Sequence, residues 1–270
     1  MISMAKYTII TINYNNGKEL CRTIESVINQ TFRDIEYIVI DGGSTDESVD
    51  IIKQHASHIN FWVSERDNGV YHAMNKALQH AHGEYVNFMN SGDSFYSPRV
   101  LEEIDRLIGD ADILFGNVCD PESGRIYGGV PVSSEVTLLT LKKEILCHQG
   151  TFYRRRIFDR YPYDESLQLI ADWKVNVQAI VLDHCKVKVV DTLVANYDLT
   201  GMSSTQSRLH EEERKRVMKE LFPERILQDY EHLYTEREMP IVSLLPELKK
   251  RGRVQKIVYL FAKYVLKLTK

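Results

Sequence analysis

No apolar run in this chain approaches the roughly 18 residues that cross a bilayer as a helix. The opening residues, MISMAKYTIITINYNN, hold a short apolar stretch that stops at Asn13. It is too short for the hydrophobic region of an export signal and suits a first strand. Cysteine is sparse. Cys21, Cys119, Cys147 and Cys185 lie far apart with no CxxC pair, so their spacing offers no zinc site. Without an export signal, reduced thiols in a cytoplasmic setting are expected. Net charge is only -4, which gives the molecule as a whole no nucleic-acid signature. Low complexity and internal repeats are also lacking. What remains is a chain of 270 residues, 43% hydrophobic, enough for one large domain or one domain with an appendage.

The first half alternates between two periods. YTIITIN, IEYIVID, INFWVS and EYVNFMN are β-branched or apolar runs with little alternation. Between them, GKELCRTIESVINQ, TDESVDIIKQH and GVYHAMNKALQHA carry apolar residues at helical spacing. Buried strands joined by helices predict an α/β fold with a mostly parallel sheet covered on both faces. Beyond Asp93 the spacing predicts a helix over PRVLEEIDRLI, a strand over ADILFGNV, a helix over ADWKVNVQAIVLD and a short strand over KVKVVD. Residues 120–150 are rich in turn residues and resist assignment.

Ligands of open α/β sheets bind beyond the carboxyl ends of the strands. Here all four predicted strand tips are polar: Asn13–Asn16, Asp41–Asp46, Glu65–Gly69 and Asn90–Asp93. Asp41 can accept hydrogen bonds from ribose hydroxyls or a base N–H, or it can close an Asx-turn. Asp46 suits a turn or helix cap. Gly42 and Gly43 let the backbone approach a ligand. Asp93 is a hard oxygen ligand suited to Mg²⁺ or Mn²⁺, or a cap on the helix after Pro98.

The chain changes character near residue 207. Residues 1–206 are expected to form the main domain and 207–270 a helical C-terminal extension. Residues 249–270 hold eight Lys or Arg and no Asp or Glu. VQKIVYLFAKYVLKL interleaves Lys256, Lys263 and Lys267 with a broad apolar face. That composition suits a helix lying in an anionic membrane interface, or a basic helix docked on protein.

Three blocks carry a family resemblance: TIITINYNNGKELCRTIESVINQTFRDIEYIVIDGGSTDES, SERDNGVYHAMNKALQHAHGEYVNFMNSGDSF, and HQGTFYRRRIFDRYPYDESLQLIADWKVNVQAI. In this order they resemble the family 2 inverting glycosyltransferases of the GT-A fold, over about residues 5–205. The nearest subgroup looks like the single-transfer enzymes of bacterial capsule, exopolysaccharide or O-antigen synthesis. The resemblance implies a nucleotide-sugar donor, most often uridine-linked, and a glycan or lipid-linked acceptor at the inner face of the cell membrane. It implies that Thr11 and Tyr14 line the nucleotide pocket and that Asp41 binds base or ribose. Asp67 would contact the base, with Lys76 nearby. Asp93 would hold a divalent metal on the diphosphate, and Asp172 would be the catalytic base. Two acidic positions of the family's metal motif are Asn90 and Gly92 here, and His72 stands where an Asp is expected. No QxxRW motif of processive synthases occurs.

Beside that resemblance, His148 and Gln149 precede a strand-like GTFYRR and are expected near donor sugar or acceptor. Arg154, Arg155 and Arg156 suit either an anionic acceptor or a solvated helix start. Trp173 suits the core or an acceptor sugar, and His210 is a candidate distant metal ligand. A catalytically silent nucleotide-sugar-binding subunit and a nucleotidyltransferase are the competing functions. For the latter, the loop after the first strand has only one Gly and one Lys, few for a triphosphate.

Overall fold

The computed structural model describes residues 5–128, 135–143, 146–197, 207–237, 250 and 252–268. The chain divides into two compact units, Met1–Lys215 and Arg216–Lys270.

In the first unit, β1 (Tyr7–Asn13) is buried along its whole length, as a β-branched strand covered on both faces should be. β2 (Ile35–Asp41) runs parallel to it, in register from Tyr7 opposite Ile35 to Asn13 opposite Asp41. β3 (Phe61–Ser64) adds beyond β2 with Ser64 opposite Asp41. β4 (Tyr85–Phe88) pairs in parallel with the other edge of β1. The crossovers are α1 (Gly17–Ile28), α2 (Ser48–Gln54) and α3 (Val70–Leu78). Helix α1 turns Leu20, Ile24 and Val27 into the core, each burial contributing about 1.5–3 kcal/mol.

The chain then continues through β5 (Ser94–Phe95), α4 (Val100–Ile108), β6 (Ile113–Cys119) and β7 (Ile126–Tyr127). Next come α5 (Leu138–Lys143), β8 (Thr151–Arg154), α6 (Arg156–Arg160) and α7 (Ala171–Asn176). Helix α7 runs on as a π-helical stretch, Val177–Leu182, before β9 (Val187–Asn196). The strand order is β3-β2-β1-β4-β8-β6-β9-β5, with β7 on β6. Strand β8 is antiparallel to both β4 and β6. The side chain of Asn87 in β4 stitches this seam, donating to the carbonyls of Gln149 (3.0 Å) and Thr151 (2.9 Å).

The parallel block matches the sequence expectation, and the second half adds antiparallel pairing. Strand β9 is longer than KVKVVD because residues 193–196 go on pairing with β6, and Ala195 and Asn196 with β5. Helix α8 (Ser207–Leu221) crosses from the first unit into the second, which also contains α9 (Glu224–Arg237) and α10 (Gly252–Leu268).

Candidate active site

The register of the parallel block fixes one side of the site. Asn13 and Asp41 end adjacent strands, and the Asn13 amide donates to Asp41 Oδ1 at 2.7 Å. Ser64, opposite Asp41 in β3, donates to Oδ2 at 2.6 Å. The Ser44 backbone N–H (2.9 Å) and hydroxyl (2.6 Å) complete the shell. Burial alone would raise the Asp41 pKa, but these donors outweigh it and hold the carboxyl below its ordinary range. Four protein donors therefore occupy Asp41. Its carboxylate organises the turn that follows β2.

Thr11 is also not at a pocket surface. It is fully buried, and its hydroxyl donates to the Met89 carbonyl at 2.7 Å and lies 3.0 Å from the Tyr37 hydroxyl. It supports the strand tip from within. Asp46 acts as the expected turn-former, accepting from Ser48 N (3.1 Å) and from Gly17 N (2.9 Å).

The carboxylate with an available oxygen is Asp67. Its side chain is 8% exposed. Oδ1 faces the Lys76 ammonium and, at 3.2 Å, His72 Nδ1, while Oδ2 is buried without a hydrogen-bond partner. Lys76 also reaches Glu65 at 2.8 Å. Burial works against its charge, but the two carboxylates prevail and raise its pKa. A Cβ on Gly42 would lie 3.2 Å from the Tyr14 ring and 3.5 Å from Asp67 Oδ2. Gly42 thus lies between the exposed Tyr14 ring and that buried, unpartnered oxygen. Two further acceptors at strand tips, Asn13 Oδ1 and Asn90 Oδ1, are buried without partners, where buried polar atoms are normally satisfied.

The loop Asn90–Asp93 forms the other side. Gly92 has φ 106°, a conformation that favours glycine. Its N–H donates to Thr23 (3.1 Å), its carbonyl accepts from Arg22, and Thr23 donates to the Asp93 carbonyl at 2.6 Å. Helix α1 therefore braces the loop. Asp93 is buried, and its Oδ2 accepts from the Gln149 amide at 2.9 Å. Asp172, in the first turn of α7, accepts at Oδ1 from Trp173 N (2.7 Å) and lies 3.5 Å from His148 Nδ1 through Oδ2. The half-buried Cys147 thiol is pushed up to about 12 by desolvation, then by the charges of Asp172 and Asp93.

Three further expectations resolve. Arg154 pairs with Glu84 (2.7 Å) and bonds the Tyr85 hydroxyl (2.7 Å), Arg156 pairs with Asp112 (2.6 Å), and Arg155 with Asp159 (3.1 Å). These partners sit at the start of β4, just before β6 and on α6, at the sheet end opposite the tips, so the cluster does not face the site. Trp173 packs in the core, its indole N–H donating to the Leu141 carbonyl at 2.8 Å under the Arg214 guanidinium. His210, on α8, lies in the field of Asp172, and burial and Arg214 keep its pKa below the ordinary value. A neutral imidazole is a competent metal ligand. Among the described residues, one group of three ligand-type side chains has its ligand atoms within 4.8 Å of one another: Cys21, Glu25 and His55. It stands on α1 and just after α2, apart from Asp93.

Solved structures share this architecture. S. aureus TarS 1-349 in complex with UDP-GlcNAc aligns with TM-score 0.64 and 22% identity, over 79% of this chain and 64% of that one. A mannosyltransferase from Pyrobaculum calidifontis in complex with GDP-Man and Mn²⁺ aligns with TM-score 0.57 and 16% identity, over 80% and 61%. The chain thus spans somewhat under two thirds of these solved proteins. The fold is GT-A, a Rossmann-like sheet with helices on both faces.

The family description "Glycosyl transferase family 2" matches residues 8–161. A PGL/p-HBAD biosynthesis glycosyltransferase of Mycobacterium tuberculosis is 30% identical over 207 residues, covering 74% of this chain and 79% of that protein. An uncharacterized glycosyltransferase of the same species is 32% identical over 211 residues, covering 76% and 79%. The chain belongs to glycosyl transferase family 2.

Proposed function

We propose that the protein is a non-processive, inverting glycosyltransferase. It takes a sugar from a nucleoside-diphosphate donor, with UDP favoured, and transfers it to a hydroxyl of a glycan or lipid-linked glycan. The observation that carries this reading is the division of the site. An unpaired Asp67 oxygen beside Gly42 and Tyr14 is built for a base N–H, with Lys76 and His72 fixing the other oxygen. The bracing of Asp93 and the partial exposure of Asp172 suit the reacting end.

The residues fit a divalent cation. Asp93 supplies a hard oxygen, Asn90 Oδ1 lacks a partner, and Gly92 leaves room for a diphosphate. Mg²⁺ or Mn²⁺ is usually held by one or two carboxylates plus phosphate oxygens and water. When bound, such a cation neutralises charge growing on the departing diphosphate. His210, neutral by environment, is the second protein ligand in this proposal. Asp172 takes the proton from the acceptor hydroxyl as that oxygen bonds to the anomeric carbon. The bond to the diphosphate breaks on the opposite face, so configuration inverts and no covalent intermediate forms. His148 and Gln149 complete the wall between Asn90 and the acids.

Residues 1–206 are proposed as the catalytic domain, with the extension beginning at 207. The first turns of α8 serve the catalytic unit, since buried Glu213 accepts from Gln168 N (2.7 Å) and Leu169 N (3.1 Å). No helix among the described residues is long and apolar enough to cross a membrane. The proposed membrane contact is α10, on which Val254, Ile257, Leu260, Phe261 and Tyr264 are 41–68% exposed. The absence of acids over residues 249–270 favours an anionic lipid surface.

The test is transfer from a panel of nucleotide sugars with Mn²⁺. Asp172→Asn should keep donor binding and lose transfer, and Asp93→Ala should weaken Mn²⁺-dependent donor binding. No nucleoside diphosphate release from any donor would favour the silent-subunit reading.

A further inference from the structure

His148 and Gln149 are consecutive residues on a single helical turn, His148–Gly150, that leads into β8. Their side chains reach different acids. Gln149 is 4% exposed and its amide donates to Asp93 Oδ2 at 2.9 Å. The His148 imidazole lies between Asn90 and Asp172, with Nε2 at 3.2 Å from the Asn90 amide nitrogen and Nδ1 at 3.5 Å from Asp172 Oδ2. The Nε2 edge of the ring thus faces Asn90 and the Nδ1 edge faces the Asp172 carboxylate. The turn is itself anchored to the donor half, because Asn87 in β4 donates to the Gln149 carbonyl at 3.0 Å.

We infer that His148 and Gln149 form a positioning clamp that fixes the distance between the two acids: Gln149 orients Asp93 toward the metal and diphosphate, and His148 orients Asp172 toward the acceptor hydroxyl. The inference rests on the proposed roles of those acids and revises the expectation that the two residues touch substrate directly. Asp172 stands on α7, far along the chain from the loop that would hold the donor. Without a brace, its oxygens have only the local bond from Trp173 N. Bracing groups of this kind commonly affect rate or metal affinity by about 10–100-fold, and a misplacement of about 1 Å can cost about 100-fold in rate.

The test uses side chains that mimic each ring nitrogen. His148→Asn keeps an N–H where Nδ1 stands, whereas His148→Gln keeps a polar atom where Nε2 stands and loses the N–H toward Asp172. In the full-length protein, His148→Gln should lower kcat about 10-fold or more with donor Kd unchanged within about twofold, and His148→Asn should recover part of the rate. Gln149→Leu should raise the Mn²⁺ concentration for half-maximal donor binding, measured calorimetrically without acceptor. Loss of donor binding in both His148 variants would overturn the clamp in favour of direct donor contact. Normal kcat in His148→Gln beside an inactive Asp172→Asn would overturn the clamp and leave the base assignment standing. An active Asp172→Asn beside a slow His148→Gln would overturn both and make His148 the base.

Discussion

Asp41 and Asp67 are both carboxylates at strand tips, and their surroundings differ. Asp41 has four donors, two of them N–H groups that cannot reverse. Asp41→Asn places an NH₂ against at least one of them, and leaving a buried donor unpaired costs about 1–3 kcal/mol. It should lower the melting temperature. Asp67→Asn should instead weaken nucleotide binding by about tenfold or more with a much smaller change in melting. Calorimetric titration with UDP and a thermal melt on both variants separate the roles, and the reverse pattern would make Asp41 the base ligand. Sequence displays a carboxylate but not the number of donors that fold around it. Ser64 comes to Asp41 only through strand register. The same limit hid Thr11, whose hydroxyl is consumed by Met89 and Tyr37 from neighbouring strands. Asn13 was visible as a strand tip, yet its orphaned Oδ1 was not.

Elements carry the next level of control. The Asn90–Asp93 loop depends on Gly92 at φ 106°. Gly92→Ala should cost about 1–3 kcal/mol through backbone strain, and should shift Mn²⁺-dependent donor binding more than it shifts binding of the nucleoside alone. Equal shifts would mean that the loop does not shape the metal end. Near the start of α7, Lys174 pairs with Asp164 at 2.8 Å. Burial would raise the Asp164 pKa, but Lys174 and Ser166 lower it to about 2. A depressed carboxylate contributes stability above its unfolded pKa and loses it as pH falls toward the folded one. Asp164→Asn should therefore be less stable by about 2 kcal/mol at neutral pH, with the gap to wild type closing between about pH 4 and pH 2. Urea melts across that range test the sign. The helices and the parallel strands were legible from apolar period and from polar residues after each run. Strands β5 and β7, of two residues each, carry too short a pattern to detect. The middle of β9 holds Asp191 and Thr192, which broke the apolar run that would have announced its full length.

At the scale of the whole molecule, the two units differ in surface chemistry. The first unit exposes a few scattered large hydrophobics such as Tyr14 and Ile126, while α10 carries six on one stretch of helix, Val254, Ile257, Tyr259, Leu260, Phe261 and Tyr264, 41–68% exposed. Replacing Leu260 and Phe261 with Ser, or deleting residues 249–270, should abolish sedimentation with anionic phospholipid vesicles while soluble donor hydrolysis is kept. Unchanged sedimentation would assign α10 to a protein contact. The basic, acid-free composition of this tail was plain in the sequence. The two hydrogen bonds from Gln168 N and Leu169 N to Glu213, between segments 44–45 positions apart, were not.

The antiparallel join between β4 and β8 has a consequence for descent. The residues proposed for the nucleoside precede Phe95, and the proposed base follows Ile113. The stitch between them runs from one amide side chain to two backbone carbonyls, groups that any sequence supplies. A recombination crossover between those residues could thus graft a foreign acceptor half onto this donor half with the stitch intact. Lineages could exchange acceptors as cassettes and keep one ancestral nucleotide grip.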